Sequence, residues 1–217
     1  MNTSLQDVYE THHASRRGKS FVLLGDVRGP FLKNTIGVGK RVLDIGCRDG
    51  ALTSYFSKGN EILGLDIDAA ALARARENIG IETRQTDLNG DWGIEKQSYD
   101  AVAASEIVEH LYYPATVVSK VAQALRPEGV FVGSVPNAFS LANRFRYALK
   151  HKKGTPLEDP THINHFTIDE LRNILEKEFA EVRVMGYGRL GWLARTFPQM
   201  FAFGLLFVAR RPRAKEV

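Results

Sequence analysis

The length and composition of the chain are those of a single globular domain. It has 217 residues, of which 44% are hydrophobic and 25% charged, and this is enough apolar sequence for a sizeable core. The nearest candidate for a membrane span, residues 196–209, has 14 residues and contains Pro198, and it is shorter than the ~20 residues that a membrane-spanning helix needs. It is therefore predicted to be a buried strand with its lead-in. The single cysteine, Cys47, cannot form an internal disulfide, so we expect a reducing, cytoplasmic location.

Positive charge is in mild excess, with a net charge of +4, and it is concentrated in residues 144–153 and 210–215. Such clusters can bind nucleic acid, other phosphates or an anionic membrane surface, although many charge clusters are only solvated faces. Residues 1–20 contain no apolar signal-peptide core. We predict a helical arm or lid over residues 1–37 and a basic tail over residues 211–217.

A strand, a tight turn, a helix and a second strand are predicted in succession. Arg41–Ile45 is a short apolar run, Gly46–Gly50 is a glycine turn, and residues 51–57 have helical spacing. A second apolar run, Glu61–Leu65, ends in Asp66. In an open α/β sheet, ligands bind beyond the carboxyl ends of the strands, where an acid can accept both hydroxyls of a ribose.

The composition of the turn indicates which nucleoside could bind. A dinucleotide site needs G-x-G-x-x-G, because the later glycines allow close approach of the pyrophosphate and the helix. Arg48 and Ala51 occupy those two positions here. Asp44, just before the turn, would repel a phosphate but would attract the ammonium group of an amino-acid tail.

These residues resemble the first motif of the class I S-adenosylmethionine-dependent methyltransferases, hh-D-h-G-x-G-x-G. Val42–Gly50 matches the motif except at Arg48, and Asp66 matches the acid at the end of the second strand. The resemblance implies a Rossmann-like α/β domain over residues 38–210, with a seven-stranded, mostly parallel sheet, an antiparallel last strand and helices on both faces. The alternative is a nucleotide-binding fold without methyl transfer.

Periodicity predicts the remaining elements. Strands are predicted at residues 81–86, 98–105, 130–135, 181–185 and 203–209, with the last two antiparallel. Helices are predicted at residues 69–78, at residues 114–125 before a turn at residues 126–129, and after Thr167, which forms a capping-box pattern with Glu170. Residues 138–166 are irregular and basic, and we predict that they form an insertion covering the substrate.

The resemblance also implies the residues around S-adenosylmethionine. Asp66 would bind the ribose, Asp87 the adenine amine, and Arg28 the methionine carboxylate, as an arginine does in related ubiquinone-biosynthesis O-methyltransferases. Asp87 could instead cap a turn with Asn89 and Gly90, and Arg28 could be a surface residue. The predicted cofactor-binding set is Arg28, Asp44, Gly46, Cys47, Gly50, Asp66, Ile67, Asp87, Leu88 and Ser105.

A second motif, Glu106-x-x-Glu109-His110, follows the fourth strand. Its carboxylates and imidazole could bind a cation or take a proton from a substrate hydroxyl. The spacing resembles that of small-RNA 2′-O-methyltransferases, in which two glutamates and two histidines hold a divalent metal. This resemblance implies Glu106, Glu109, His110 and His165 as ligands of Mg²⁺ or Mn²⁺, with His162 as the substitute for His165.

In many small-molecule methyltransferases with the same pattern, the histidines instead act as a base or contact the substrate. We therefore predict that His110 and His165 are catalytic, and that the protein transfers a methyl group from S-adenosylmethionine to a hydroxyl of a small-molecule, glycan or lipid-linked acceptor. Two alternatives stay open. One is a metal-dependent RNA ribose methyltransferase, and the other is a non-catalytic module, for which Arg48 is the reason.

Overall fold

The structure is a computed structural model that describes residues 22–213, and a seven-stranded sheet lies at its centre. The strands are β1 (Arg41–Ile45), β2 (Glu61–Asp66), β3 (Glu82–Gln85), β4 (Tyr99–Ser105), β5 (Leu125–Pro136), β6 (Phe179–Tyr187) and β7 (Gly204–Pro212). Their order in the sheet is β3-β2-β1-β4-β5-β7-β6. Strands β1 to β5 pair in parallel, whereas β7 is antiparallel to both β5 and β6. The predicted sheet is confirmed.

Helices cover both faces of the sheet. They are α1 (Gly25–Ile36), α2 (Ser54–Ser57), α3 (Ala69–Ile79), α4 (Pro114–Ala124), α5 (Leu141–Ala148), α6 (Ile168–Glu176), α7 (Trp192–Thr196) and α8 (Pro198–Phe201). The predicted capping box of Thr167 and Glu170 begins α6. Among the helices of residues 22–213, none has the length and apolar character to cross a membrane.

The core has two layers because successive side chains of a buried strand point to opposite faces. Leu43 and Ile45 of β1 pack into one apolar cluster, whereas Val42 packs into a second cluster with Ile62 and Leu32. Both faces of the central strands are therefore buried, as parallel sheets require.

Two predicted boundaries were wrong. Residues 51–53 form turns and only Ser54–Ser57 is helical, because Gly50 has a φ of +75° and continues the turn. Residues 126–129 do not separate α4 from β5 but belong to β5. They form a bulge, since Tyr99 pairs with Leu125 and Ala101 pairs with Val130.

Residues 196–209 contain the predicted strand, β7, and its lead-in, which is the short helix α8. Pro198 begins this short helix, which suits proline because the first helical position needs no amide hydrogen bond.

The topology brings the polar strand ends together. The chain passes from β1 to β2 and β3 on one side, and then from β4 to β5 on the other. The sheet order therefore reverses between β1 and β4, and a crevice is expected beyond the carboxyl ends of these strands.

Candidate functional site

A cavity opens at this edge of the sheet, beyond the ends of β1, β2 and β4. Its walls include nine of the ten residues predicted to bind the cofactor, namely Arg28, Asp44, Gly46, Cys47, Asp66, Ile67, Asp87, Leu88 and Ser105. The tenth, Gly50, supports the turn from behind, where a Cβ would lie 2.7 Å from Ile79 Cδ1.

The glycine turn forms the floor of the cavity. Gly46 has a φ of +73°, and a Cβ there would come within 2.6 Å of Ile107, so no other residue fits without rearrangement. Arg48 has a φ of +51°, which explains why the related motif has glycine at this position. Burial raises the pKa of the Cys47 thiol, so Cys47 is a neutral packing residue rather than a nucleophile.

Asp66 joins the turn to the second strand. One of its carboxylate oxygens accepts a hydrogen bond from Arg48 N (2.9 Å) and the other from Asp68 N (2.9 Å). Asp68 in turn caps α3 by accepting from Ala71 N. The Asp66 carboxylate is therefore held in one orientation on the cavity wall.

Asp44 lies deeper, at the end of β1. Its carboxylate accepts a hydrogen bond from Thr53 Oγ1 (2.6 Å), which favours the charged form. Burial acts more strongly in the opposite direction, and together with the charge of Asp66 it raises the pKa of Asp44 to about 7. A cation bound beside Asp44 would favour its ionised form.

Arg28 supplies positive charge to the same cavity. It is a buried residue of α1, and its guanidinium donates from one terminal nitrogen to Leu23 O (3.2 Å). Among residues 22–213, neither Arg28 Nε nor Ser105 Oγ has a hydrogen-bond partner, although both atoms are buried. An anionic group in the cavity could satisfy the arginine, because buried polar groups are normally hydrogen-bonded.

The turn after β3 provides the remaining wall. Asp87 Oδ1 accepts hydrogen bonds from Asn89 N (2.9 Å) and Asn89 Nδ2 (3.0 Å), so Asp87 caps its own turn as well as lining the cavity. Leu88 presents an apolar surface beside it. The two interpretations of Asp87 made from the sequence are compatible, because a carboxylate oxygen can accept more than one hydrogen bond.

Glu106 follows β4 and faces the cavity. Its backbone has a φ of +55°, and its carboxylate accepts a hydrogen bond from Ser134 Oγ (2.9 Å). Tyr187 is buried nearby, and both burial and the Glu106 charge raise the pKa of its hydroxyl. Tyr187 is therefore a neutral hydrogen-bonding group beside Glu106.

His110 lines the cavity and forms a cluster with Glu109 and His162. One ligand atom from each of these residues lies within 4.8 Å of the others, and the two imidazole centroids are 4.7 Å apart. His110 Nδ1 lies 2.9 Å from Thr161 O, and His162 Nδ1 lies 3.0 Å from Pro156 O. Because a carbonyl oxygen only accepts, each Nδ1 carries a proton and each neutral ring has its lone pair on Nε2.

The backbone around residues 109–111 fixes this cluster. Asn164 donates from its backbone to Glu109 O (2.9 Å) and from its side chain to Leu111 O (2.6 Å). His165 lies outside the cluster of ligand atoms and outside the cavity wall. Burial, reinforced by nearby His162, lowers the pKa of His165.

Thr53, Ser134, Tyr187 and Asn164 contribute to the site but were not predicted from the sequence. Ser134 and Asn164 bind Glu106 and Glu109, which are distant from them in the chain, Thr53 binds the nearby Asp44, and Tyr187 lies beside Ser134. Their own sequence surroundings carry no motif, so the strand pairing of β4 with β5 was needed to find Ser134.

The comparisons with known proteins concern the domain as a whole. A family model described as a methyltransferase domain matches residues 19–178. A ubiquinone biosynthesis O-methyltransferase of Nitrosococcus oceani is 32% identical over 130 residues, covering 55% of this chain and 55% of that protein. A probable S-adenosylmethionine-dependent methyltransferase of Mycolicibacterium smegmatis is 31% identical over 146 residues, covering 66% of this chain and 53% of that protein.

A solved structure shows the same fold. The S-adenosylmethionine-dependent methyltransferase from Mesorhizobium loti has a TM-score of 0.64 and 22% identity, covering 86% of this chain and 100% of that chain. The chain described here spans about half the length of the two curated relatives named above.

Proposed function

Because this chain belongs to the methyltransferase domain family, we propose that it transfers a methyl group from S-adenosylmethionine to a hydroxyl of a small-molecule, glycan or lipid-linked acceptor. The observation that carries the proposal is the placement of Asp44, Asp66 and Arg28 around one cavity. This set suits a ligand with an ammonium group, a ribose and a carboxylate, and S-adenosylmethionine has all three.

Each residue has a separate role in holding the cofactor. Asp66 would accept the ribose hydroxyls, since its carboxylate is already oriented by two backbone amides. Asp44 would pair with the ammonium group, and Arg28 would pair with the carboxylate of the methionine tail. Asp87 and Leu88 would contact the adenine at the opposite wall.

The acceptor hydroxyl needs activation, because a neutral alcohol is a poor nucleophile at neutral pH. When bound, S-adenosylmethionine supplies a methyl group activated by a positive sulfur. His110 is suited to accept the proton of the acceptor hydroxyl on its Nε2 atom, since its Nδ1 atom is hydrogen-bonded to Thr161 O. The protein then needs only to align the acceptor oxygen with the methyl group and to exclude water.

Asp66→Asn tests the cofactor site. We expect S-adenosylmethionine affinity to fall at least tenfold, because a neutral amide cannot accept both ribose hydroxyls. Isothermal titration calorimetry measures the affinity, and Glu61→Gln is the matched control, at the exposed opposite end of the same strand. Unchanged affinity in Asp66→Asn would contradict the ribose role.

His110→Gln tests the catalytic base. We expect turnover to fall about 10²- to 10⁴-fold while cofactor affinity stays within about twofold. Transfer of a radiolabelled methyl group to catechol and sugar acceptors measures turnover, with the exposed His151→Gln as the control. A fully active His110→Gln enzyme would exclude His110 as the base. An equal loss of turnover in His165→Gln would support His165 as the second catalytic histidine predicted from the sequence.

A divalent metal held by Glu109, His110 and His162 is the alternative to a His110 base, because a metal would occupy the same Nε2 atom of His110. Both histidines have Nδ1 against a backbone carbonyl, which is the usual outer-shell arrangement of metal-binding histidines. Two imidazoles and one carboxylate suit Mn²⁺ or Zn²⁺ better than Mg²⁺, which prefers oxygen ligands. Such a metal would lower the pKa of an acceptor hydroxyl.

Metal binding separates this ligand set from the set predicted by resemblance. We expect Mn²⁺ titrated into the protein to bind with an affinity that His162→Gln lowers at least tenfold and His165→Gln leaves unchanged. Electron paramagnetic resonance of free Mn²⁺ measures this without an activity assay. If His165→Gln lowered the Mn²⁺ affinity and His162→Gln left it unchanged, His165 would be favoured as the ligand. Full activity in excess chelator would exclude a catalytic metal.

A further inference from the structure

Helix α5 has an apolar face that no other described residue covers. Leu141, Phe145 and Leu149 recur every four positions and are all exposed, Phe145 to 67%. At 100° per residue, these side chains and the alanines at positions 142 and 148 occupy a stripe of about 120°. No residue of α5 is buried, so the helix lies on the surface of the protein.

The flanks of the stripe are basic. By the same helical geometry, Arg144 lies along one border and Arg146 along the other. The opposite side of the helix faces the protein, where Asn143 Nδ2 donates to Asn137 O (2.9 Å) and Tyr147 is half-buried. The helix is therefore attached by its polar side and presents its apolar side outwards.

Helices α7 and α8 contact each other and carry further exposed apolar side chains. Helix α8 packs against α5, and Asn137 joins the two by donating to Pro198 O (3.1 Å) and Ala202 O (3.0 Å). Trp192, the most exposed of the large apolar side chains here at 69%, lies on α7. The apolar platform is defined as Leu141, Phe145, Leu149, Trp192, Phe197 and Met200, all of which are exposed.

The two segments that carry the apolar platform contain only positive charges, and Glu158 lies just beyond the end of the first segment, where it accepts a hydrogen bond from Gly154 N (2.7 Å). Residues 138–154 contain five lysines and arginines, residues 187–203 contain two arginines, and neither segment contains an aspartate or glutamate. The two segments together have a charge of +7, whereas the whole chain has a net charge of +4. The rest of the chain therefore has a net charge of −3 (4 − 7). Exposed aromatic and aliphatic side chains between cations are typical of helices that lie in the interface of an anionic membrane.

We propose that the apolar platform docks the protein on an anionic lipid bilayer, with α5 parallel to the membrane plane. Phe145 and Trp192 insert at the level of the headgroups, while the arginines and lysines contact lipid phosphates. The phosphates of a nucleic acid would contact the lysines and arginines but would leave the apolar stripe exposed to water. A second copy of the chain would bring two segments of like charge together.

The position of the platform connects docking to the proposed function. Residue 138 follows directly on the carboxyl end of β5, where Ser134 binds Glu106 of the cavity wall. An acceptor held in the membrane would thus be presented at the open edge of the sheet. This link to a lipid-linked acceptor rests on the proposed methyl transfer, whereas docking itself does not.

Vesicle co-sedimentation of the full chain tests the proposal. We expect the protein to bind phosphatidylcholine vesicles that contain about 30% phosphatidylglycerol, which gives the vesicles a negative surface. Binding to vesicles of pure phosphatidylcholine should be much weaker. Replacing Lys150, Lys152 and Lys153 by glutamine should weaken binding on the order of a hundredfold, since each charge near the surface contributes roughly a factor of five. Leu141→Ser with Phe145→Ser should weaken it at least tenfold.

Matched controls lie at the opposite edge of the sheet. Lys40, Lys58 and Lys96 replaced by glutamine remove the same charge, and Val38→Ser removes an exposed apolar side chain; both variants should bind vesicles normally. Circular dichroism and S-adenosylmethionine affinity confirm that each variant is folded. The proposal would be overturned if the protein bound neutral and anionic vesicles equally, or if it dimerised through the apolar platform. It would also be overturned if the protein bound no vesicles but bound RNA with an affinity that Phe145→Ser leaves unchanged.

Discussion

Asp44 changes its protonation state near neutral pH, and this has a measurable consequence. Its pKa is raised from an ordinary value near 3.8 to about 7, chiefly by burial. The folded protein therefore holds this proton more tightly than the unfolded chain, and the contribution of Asp44 to stability falls as pH rises from about 4 to 7. Binding of a cationic ligand requires the opposite, ionised form.

We predict that S-adenosylmethionine affinity rises with pH up to about pH 7 and falls again from about pH 8, where the ammonium group of the ligand loses its proton. Below pH 7, binding must release the Asp44 proton, so affinity should fall by up to about tenfold per pH unit. Calorimetry between pH 5.5 and 8.5 measures this slope.

Two variants test the assignment of this pH dependence. Asp44→Asn should abolish the slope, weaken binding and stabilise the cofactor-free protein above pH 7. Thr53→Val should raise the pH at which the affinity stops rising, because the Thr53 hydrogen bond favours the ionised carboxylate of Asp44. An unchanged slope in Asp44→Asn would assign the pH dependence to another group.

Arg48 is the residue at which the turn departs from the related motif. A non-glycine residue in the left-handed region costs about 1 kcal/mol, so we expect Arg48→Gly to raise the free energy of unfolding by about that amount. It should also tighten S-adenosylmethionine binding, since the Arg48 side chain lines the cavity.

Gln97→Gly is the matched control for Arg48→Gly. Gln97 has a φ of +52° but lies before β4, at the opposite edge of the sheet. It should give the same gain in stability with no change in affinity. Weaker binding in Arg48→Gly would mean that the arginine contributes a contact to the cofactor.

Residue-level prediction from the sequence depended on whether a residue belongs to a local motif. Asp44 and Asp66 stand at the ends of apolar runs, so their positions follow from strand polarity alone. His162 and His165 are three positions apart in an irregular segment, and only the hydrogen bonds of Asn164 and Thr161 place His162 beside His110. No periodicity in residues 156–165 could have decided between them.

At the scale of elements, the pairing of β4 with β5 determines where the site residues lie. Gly133 is opposite Ala104, and a Cβ on Gly133 would lie 1.8 Å from Ala104 O. Only glycine allows this close approach, which also sets the neighbouring pair of Ser105 and Ser134 in register. The strands were predicted from apolar runs, but the bulge at residues 126–129 depends on pairing between strands and was missed.

Gly133→Ala should therefore destabilise the protein by about 3 kcal/mol, because one of the two strands must shift to accommodate the methyl group. Thermal denaturation should show a melting temperature roughly 10 °C lower, together with weaker S-adenosylmethionine binding. Gly90→Ala is the control, since its Cβ would find its nearest neighbour at 3.4 Å. Equal stability of the two variants would show that β4 and β5 separate at little cost.

At the scale of the whole molecule, positive charge is concentrated in the segments that carry the apolar platform. The segments of the apolar platform carry seven positive charges and no negative ones, and the rest of the chain is net negative. The sequence showed this asymmetry, and the overall sheet followed from the resemblance. Neither could show that α5 presents its apolar side outwards, because that depends on the attachment of Asn143 to Asn137.

The acidic lining of the cavity also bears on how a catalytic cycle would end. Among its described walls, five carboxylates face this space against two arginines, Arg28 and Arg48; the carboxylates are those of Asp44, Asp49, Asp66, Asp87 and Glu106. After the reaction, the spent nucleoside has lost the positive charge on its sulfur and with it part of its attraction to these carboxylates. The same walls would retain the fresh donor in preference to the by-product, so inhibition by accumulated S-adenosylhomocysteine should be weak.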